Sequence, residues 1–270
     1  MNYKIRVQTN ASLMTLITVE SKWLAANLDN PNVVILDTRG QMLYRFGHIK
    51  NALSLGMEMV VTVAPNGANL VIEGAQAEKV FGSYGIDDSK KVVVYGEQDD
   101  PAAARVAWSI MYHGHPDVAL LDTGFSVWKH LGLPVTRDAA QAKPAQFTSK
   151  PKPEIRIDAE AIKAKAGDPS FVVVDARTRQ EHMQARIPNS VLHDWEQGVG
   201  ANGSAFLSPE ELKKEFESKG ITPDKEVVCY CHSGVRASHK YMQFRLAGYE
   251  KVRLYDGSII DWAMRRNPIR

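Results

Sequence analysis

Cysteine is scarce in this chain of 270 residues, which contains two, and long apolar runs are lacking. Two cysteines exclude a disulfide framework, and no Cys/His group has zinc-ligand spacing, so we expect no metal site and a reducing compartment. The most apolar segment, residues 11–19, is short and broken by threonine, whereas a membrane helix needs roughly 20 apolar residues. The segment lacks an Ala-x-Ala cleavage site, so the sequence predicts a cytoplasmic protein, or a periplasmic one if a signal peptide has been removed.

A strong excess of one charge is also lacking, since the net charge is +2 at pH 7. Residues 1–135 carry 11 Lys and Arg against 13 Asp and Glu, and residues 136–270 carry 22 against 18. This asymmetry falls short of the basic stripe or clustered basic runs of a nucleic-acid-binding protein. We therefore expect neither nucleic acid nor a membrane as a partner, and the slightly basic second half suits a small anionic ligand.

The chain contains an internal repeat. Residues 33–39, Val-Val-Ile-Leu-Asp-Thr-Arg, recur as residues 171–177, Phe-Val-Val-Val-Asp-Ala-Arg. Five further blocks match in the same order, and the offset between the partners stays between 134 and 138 residues. In the first copy these blocks begin at Gly47, Asn66, Tyr84, Val92 and Asp122. Six ordered matches indicate two copies of one fold of about 120 residues, an ordinary domain size.

Short β-branched runs alternate with helical stretches in each copy. Strands are predicted over residues 33–36, 92–95, 118–121, 171–174, 227–230 and 252–255. Helices are predicted over residues 75–84, 102–113, 209–219 and 237–247, with Ser208 as an N-cap and Gly220 as a stop signal. This alternation predicts an α/β fold in which each domain is a mostly parallel sheet flanked by helices on both faces.

The segment between the copies reads as a linker. Residues 139–153 contain three prolines, three lysines and few large apolar residues, a composition typical of interdomain segments. The predicted N-terminal domain covers residues 14–138, and the predicted C-terminal domain covers residues 154–270. Ligands of such sheets bind beyond the carboxyl ends of the strands, so the residues that follow each strand are the first candidates for a site.

A reactive-cysteine motif follows the strand predicted over residues 227–230. The chain reads Cys231-His232-Ser233-Gly234-Val235-Arg236 and then enters a predicted helix. Loop amides and a helix N-terminus favour negative charge and Arg236 adds a cation, so a thiolate at Cys231 is predicted to be a nucleophile. Cys229 lies inside the strand and is predicted to pack in the core. The matching loop of the first copy, Gly96-Glu97-Gln98-Asp99-Asp100-Pro101, has no thiol and no basic residue, so that copy is predicted to be catalytically silent.

These residues resemble the rhodanese family of sulfurtransferases in its tandem-domain form, from Val19 to about Arg270. The matching pieces are Asp37-x-Arg39 with Gly47-His48-Ile49, Asp175-x-Arg177-x-x-x-Glu181, the Cys231 loop, and the elements ending at Trp128 and Trp262. The resemblance implies two tandem rhodanese-like domains, of which the second holds the catalytic cysteine. It implies that Cys231 accepts a sulfane sulfur as a persulfide and passes it to cyanide, a thiol or an acceptor protein. A ping-pong mechanism without a cofactor follows from that covalent intermediate.

The predicted substrate-binding set consists of His232, Ser233, Gly234, Val235, Arg236, Arg186 and Arg179. Gly234 is expected to supply a turn conformation that is closed to other residues. His232 and Ser233 lie at the mouth of the loop, where they either hydrogen-bond to the donor or only face solvent. Arg236 either binds the substrate or bridges the loop to a carboxylate of its own domain.

Two further pairs of residues complete the predicted site. Asp175 and Arg177 are predicted to form a buried structural pair at the end of the sheet rather than to take part in the reaction. Arg186 stands where the first copy has the histidine of Gly-His-Ile. Arg186 and Arg179 are both candidates for lining the pocket.

Thiosulfate is the predicted donor, and 3-mercaptopyruvate is the alternative. The connection between Glu181 and Ile187 is short, whereas mercaptopyruvate enzymes of the family carry a longer segment there, and the residues after Cys231 fit neither pattern cleanly. A phosphatase or arsenate reductase on the same scaffold would need Cys-x5-Arg, but four residues separate Cys231 from Arg236. A sulfur-carrier or regulatory binding module is the third alternative.

Overall fold

The computed structural model describes residues 17–98, 100–201 and 203–270. Three sequence predictions therefore fall partly outside the described residues. They are the start of the N-terminal domain at residues 14–16, most of the apolar segment 11–19, and the repeat block that contains Asn202. Asp99, which belongs to the loop of the first copy, is also outside.

The first domain is built on a five-stranded parallel sheet with the strand order β1-β8-β7-β2-β4. Its strands are β1 (Thr18–Val19), β2 (Val33–Asp37), β3 (His48–Ile49), β4 (Leu53–Ser54), β5 (Val61–Val63), β6 (Asn69–Val71), β7 (Lys91–Tyr95), β8 (Val118–Leu121) and β9 (Val135–Thr136). Its helices are α1 (Ser21–Ala26), α2 (Gln41–Phe46), α3 (Gly74–Ser83), α4 (Ala102–Tyr112) and α5 (Phe125–His130). Strands β3 and β9 pair antiparallel, as do β5 and β6, outside the main sheet.

The second domain repeats this design with a four-stranded parallel sheet of order β11-β10-β12-β13. Its strands are β10 (Phe171–Asp175), β11 (Val191–Leu192), β12 (Glu226–Tyr230) and β13 (Val252–Leu254). Its helices are α6 (Ala159–Ala164), α7 (Arg179–Gln184), α8 (Pro209–Ser218), α9 (Val235–Leu246) and α10 (Ser258–Met264). A bridge from Arg156 to Leu254 extends the sheet by one more parallel segment, at the place that β1 takes in the first domain.

The predicted α/β fold with two tandem domains is confirmed, and each predicted strand and helix is present with ends within two residues. Helix α8 begins as predicted, because the Ser208 side chain accepts from the Glu211 backbone and the Glu211 carboxylate accepts from Ser208, a capping box. The short helices, the two-residue parallel strands β1, β4 and β11, and the two antiparallel pairs were not predicted from the sequence. Elements of two to seven residues are too short to show a periodicity.

The two copies share a duplicated set of hydrogen bonds at the carboxyl ends of their central strands. Tyr95 Oη donates to Asp37 at 2.6 Å, and Tyr230 Oη donates to Asp175 at 2.7 Å. The same two hydroxyls accept from the backbone of Ile49 and its counterpart, residue 187. Equivalent side chains in equivalent register show that the sequence repeat is a structural repeat.

The domains meet through α4 and α9, the helices that follow the central strands. One continuous apolar core contains residues of both helices and of the inner faces of both sheets. Helices α1 and α5 cover the outer face of the first sheet, and α6 and α10 cover that of the second. Helices α4 and α9 are therefore buried on nearly all sides, and polar residues such as Arg105 and Lys240 lie fully buried at this junction.

The predicted linker, residues 139–153, is extended until a 3₁₀ turn begins at Pro153 and follows the surface of the first domain. Its backbone pairs with Gly82 and His113, and the Phe147 side chain is buried against Phe81. The linker is thus held to the first domain rather than free. The exact boundaries between linker and domains stay predictions.

No helix in the described ranges is both long and apolar enough to cross a bilayer.

Candidate active site

Cys231 follows the last residue of β12, at the carboxyl edge of the second sheet. Its Sγ accepts a hydrogen bond from the Gly234 backbone N–H at 3.1 Å, and the residue is 1% exposed. Gly234 adopts the left-handed conformation, with φ 91° and ψ −10°, and caps α9. A Cβ at this position would lie 2.6 Å from the carbonyl oxygen of Asp256, so both the backbone conformation and the space require glycine. Helix α9 begins at Val235, two residues earlier than predicted, because the turn at Gly234 starts it.

A segment at the start of α10 holds the Cys231 loop from its other side. The Cys231 backbone N–H donates to Ser258 Oγ at 3.1 Å, and the carbonyl of Cys231 accepts from the backbone of Ile259. Ser258 itself has a positive φ of 54° and donates to the Tyr255 carbonyl at 2.8 Å. Both backbone groups of Cys231 are therefore held by the α10 segment without a ligand, which is the preorganisation that anion binding requires.

Arg236, in the first turn of α9, is paired with a carboxylate of its own domain. Its two terminal nitrogens donate to Glu181 at 2.7 and 2.8 Å. The Arg236 guanidinium lowers the pKa of Glu181 to about 2, and the Glu181 hydrogen bonds raise the pKa of Arg236. Of the two roles predicted for Arg236, bridging the loop is therefore present in the structure, and substrate binding stays a prediction.

Asp175 and Arg177 form a two-pronged ion pair at the end of β10, with distances of 2.9 and 2.7 Å. Arg177 also donates to the Ala185 carbonyl at 2.6 Å, which closes the loop around α7. Hydrogen bonds from Arg177, Tyr230 and His182 outweigh burial and lower the pKa of Asp175. The pair is buried and fully occupied by protein groups, which is the geometry that its predicted structural role requires.

The other residues of the predicted set lie at different depths. His232 is exposed, and Ser233 and Val235 are half-buried. Arg179 is exposed at the start of α7, whereas Arg186 is half-buried and donates to the His182 carbonyl at 3.3 Å. The Arg186 backbone also pairs with Arg270 in both directions. The structure thus brings the loop residues together around Cys231, and it ties Arg186 to the C-terminus.

Cys229 lies in the middle of β12 and is fully buried. Burial raises the pKa of its thiol well above the usual range. A thiol in that state is neutral and poorly nucleophilic, which agrees with its predicted packing role.

In the matching loop of the first domain, Glu97 and Gln98 are hydrogen-bonded to other parts of the protein. Glu97 accepts from the Ser126 backbone at 3.0 Å, and Gln98 donates to the carbonyls of Gly200 and Ser204 of the second domain. The cavity beside this loop measures about 20 Å³, room for about one water molecule. The described part of the loop thus serves as a contact between the domains.

Three residues near Cys231 escaped the sequence reasoning: Ser258, Asp256 and Arg105. The first two follow a predicted strand whose carboxyl end lies at the same edge as that of β12, so the rule for parallel sheets could have pointed to them. Arg105 is a single charge in the apolar run Ala-Ala-Ala-Arg-Val-Ala-Trp of α4, and a lone charge in such a run is itself a signal. In the described part of the chain, no group of three or more His, Cys, Asp or Glu residues is arranged to hold a metal ion.

Comparison with known proteins shows what this chain is similar to. The family model for the rhodanese-like domain matches the chain twice, over residues 20–131 and 158–265. A probable 3-mercaptopyruvate sulfurtransferase of Pseudomonas aeruginosa is 30% identical over 278 residues, which cover 94% of this chain and 95% of that protein. A putative thiosulfate sulfurtransferase of Synechococcus elongatus is 30% identical over 97% of this chain and 87% of its own. The sulfur carrier protein TtuD of Thermus thermophilus is 30% identical over 91% of this chain and 93% of its own.

Solved structures show the same fold. The wild-type structure of EanB superimposes with a TM-score of 0.85 at 20% identity, over 93% of this chain and 68% of that chain. The anaerobic ergothioneine biosynthesis enzyme from Chlorobium limicola, in complex with trimethyl histidine, gives a TM-score of 0.85 at 21% identity, over 93% of this chain and 69% of that chain.

Proposed function

The chain belongs to the rhodanese family and is a sulfurtransferase, and on that premise we propose that Cys231 carries the sulfane sulfur of thiosulfate to cyanide or a thiol. The observation that carries the proposal is the hydrogen bond from the Gly234 N–H to Cys231 Sγ, at the N-terminus of α9. Amides at a helix N-terminus stabilise negative charge. The negative charge of Cys231 is therefore stabilised both when the residue is a thiolate and when it is a persulfide.

The first step loads the cysteine. The Cys231 thiolate attacks the outer sulfur of thiosulfate, a new S–S bond forms, and the old S–S bond breaks. Sulfite leaves with the electron pair of that bond as a dianion, and the persulfide keeps one negative charge. Loop amides and Arg236 are suited to stabilise both the bound dianion and the leaving group.

The second step discharges the persulfide. Cyanide attacks the outer sulfur, the S–S bond breaks, and thiocyanate leaves while Cys231 returns as a thiolate. A thiol acceptor takes the sulfur in the same way and becomes a persulfide. Because the donor's product leaves before the acceptor reacts, the kinetics are ping-pong.

Thiosulfate is preferred over 3-mercaptopyruvate because the connection after α7 is short. Relatives with each of the two names match this chain at 30% identity. Steady-state kinetics with each donor and the same acceptor distinguish the two substrates, because the better donor gives the higher kcat/KM.

Thiocyanate formation from thiosulfate and cyanide by the pure protein is the direct test. Cys231→Ser is expected to abolish it without changing the circular dichroism spectrum, and the wild-type protein treated with thiosulfate is expected to gain the mass of one sulfur atom at Cys231. Activity that survives in Cys231→Ser contradicts the proposal, as does phosphate-ester hydrolysis without thiocyanate formation.

A protein acceptor is the second candidate, and the similarity to a sulfur carrier protein favours it. If the persulfide loads rapidly from thiosulfate but cyanide and small thiols discharge it slowly, the carrier role is the better description. A cytoplasmic location belongs to the same proposal, since a nucleophilic thiol has to stay reduced.

A further inference from the structure

Arg105 is an arginine of the first domain that lies fully buried in α4, 0% exposed, where that helix meets the second domain. Its Nη2 donates to the Asn69 carbonyl at 3.0 Å and lies 3.8 Å from Asp256 Oδ2. Its Nε and Nη1 have no hydrogen-bond partner among the described residues. A buried guanidinium with two unused donors is costly, so its position calls for a function.

The Cys231 loop lies directly against this guanidinium. A Cβ on Gly234 would be 3.2 Å from Arg105 Nη1, and the N–H of the same glycine donates to Cys231 Sγ. Arg105 therefore packs on the residue that forms the sulfur cradle, although it comes from the other domain. Burial lowers the pKa of Arg105, and the charges of Asp256 and Cys231 oppose that effect.

Asp256 joins the two domains behind the loop. It is 1% exposed, and it accepts from the backbone of Val71 in β6 at 2.9 Å and from Arg156 Nε at 2.9 Å. Ser258, two residues later, accepts from the Cys231 backbone. The first domain thus reaches the Cys231 loop both through Arg105 and through the segment that Asp256 anchors.

Three arginines and two carboxylates form the ion pairs beside the loop, and Arg105 is the most deeply buried of the three arginines. Glu181 is neutralised by Arg236, and Asp256 is shared between Arg105 and Arg156. Besides these five groups, the elements packed around the loop carry other charged or titratable groups, among them Asp194 after β11, Cys229 and Tyr230 on β12, and His239, Lys240 and Tyr241 on α9. Because Arg105 is fully buried, solvent screens its charge less than the charges of Arg156 and Arg236.

We propose that Arg105 of the first domain is a positioning residue for the second domain's reaction. Its buried guanidinium stabilises negative charge on the sulfur of Cys231 and supports Gly234 in the conformation that cradles it. The inference rests on the proposed function of Cys231. It gives the domain without a cysteine a direct part in sulfur transfer, because helix α4 of that domain supplies Arg105 to the active site.

The test compares Arg105→Gln, Arg105→Lys and the control Arg156→Gln in the full chain. Arg156 binds the same carboxylate of Asp256, but its side chain is 32% exposed, so its charge is screened. The first readout is the rate of Cys231 alkylation by iodoacetamide as a function of pH, with the labelled residue identified by mass spectrometry. The second is kcat/KM for thiosulfate with cyanide as acceptor.

We expect Arg105→Gln to move the alkylation midpoint upward by about one pH unit and to lower kcat/KM about tenfold, the two being the same free energy. Arg105→Lys keeps the positive charge, so its alkylation midpoint is expected to stay close to that of the wild type. Arg156→Gln is expected to move the midpoint by less than about 0.5 pH unit and to change kcat/KM by less than about threefold, in line with an exposed charge.

An unchanged midpoint in folded Arg105→Gln overturns the inference, even if the melting temperature falls, because a merely structural residue would give that pattern. Equal shifts in Arg105→Gln and Arg156→Gln also overturn it, because anchoring of Asp256 would then suffice. If Arg105→Gln does not fold, Arg105→Lys decides: the midpoint of an ordinary thiol in that variant overturns the inference, and a near-wild-type midpoint supports it. Alkylation needs no sulfur donor, so a wild-type protein that makes no thiocyanate contradicts the proposed function separately.

Discussion

Arg236 and Glu181 form a two-pronged ion pair, in which the two terminal nitrogens of Arg236 donate to the two carboxylate oxygens of Glu181 at 2.7 and 2.8 Å. The pair ties the start of α9 to the start of α7. Glu181 also accepts from the backbone and hydroxyl of Thr178, completing the capping box of α7. The loop that holds Cys231 is therefore linked directly to the helix that follows Asp175 and Arg177. This connection lets two roles of Arg236, anchoring the loop and binding an anion, be separated by experiment.

Arg236→Ala is predicted to raise the KM for thiosulfate about tenfold, because a hydrogen bond to a charged group contributes about 1.5 kcal/mol or more. Steady-state kinetics at saturating cyanide measure the change. Glu181→Gln is the matched variant, since it loosens the same contact but keeps the cation. A similar KM increase in both variants would show that Arg236 acts only as a bridge.

Gly234→Ala is predicted to lower kcat/KM about a hundredfold, the effect of a misplaced reacting group. The new Cβ would lie 2.6 Å from the Asp256 carbonyl, in a backbone with φ 91°. Gly220→Ala is the control, because Gly220 has φ 73° and no atom within 4 Å of a Cβ. That control is expected to lose about 1 kcal/mol of stability, the cost of a left-handed backbone for alanine, and to keep its activity. Thermal unfolding and thiocyanate formation measure the two effects.

Cys229→Ala is predicted to leave turnover within about twofold of wild type and to lower stability by about 1 kcal/mol, an ordinary value for a small core truncation. The Cys229 thiol is fully buried inside β12 and takes no part in the proposed chemistry. Urea unfolding and thiocyanate assays on the same preparation check both statements. A loss of turnover like that of Cys231→Ser would contradict the assignment of a single reactive cysteine.

Lys240 is predicted to make the stability of the protein depend on alkaline pH. Burial lowers the pKa of Lys240 from 10.5 to about 7. The unfolded chain therefore binds more protons than the folded protein between these values, so stability rises with pH across that window and the penalty is complete below it. Lys240→Met is expected to remove the rise, as seen in melting temperatures from pH about 7 to 10.

The exposed Lys214, on α8, supplies the control for this prediction. Lys214→Met is expected to keep the wild-type pH dependence. Lys240 also donates to the ring of His193 and to the carbonyl of Asp194. If those contacts keep Lys240 charged in the folded protein, the melting temperatures of wild type and Lys240→Met will change in the same way with pH. That result would contradict the prediction.

Much of the fold could be predicted because its signals are local. A buried strand such as residues 92–95 shows itself by β-branched residues, and the start of α8 shows itself by Ser208, Pro209 and Glu211. The repeat then assigned the same elements twice. Helices α4 and α9 were located, but their polar residues gave no indication that the two helices pack together between the sheets.

The Cys231 loop could also be predicted, because a strand, four loop residues and a helix start are continuous in the chain. The partners of the loop could not. Ser258 is 27 residues from Cys231, and Glu181 is 55 residues from Arg236. Such contacts depend on which strands are neighbours and on the direction of each side chain, and neither is written in a local pattern.

By itself, the sequence determined two α/β copies, one cysteine at a helix start and an anion as the expected ligand, since composition, periodicity and loop chemistry act over a few residues. The tertiary structure alone decided that Arg236 is held by Glu181 and that Arg105 of the first domain packs on Gly234 of the second. The first contact depends on strands β10 and β12 being neighbours in the second sheet. The second arises because the two sheets bury α4 and α9 in one shared core, which brings residues more than a hundred positions apart into contact.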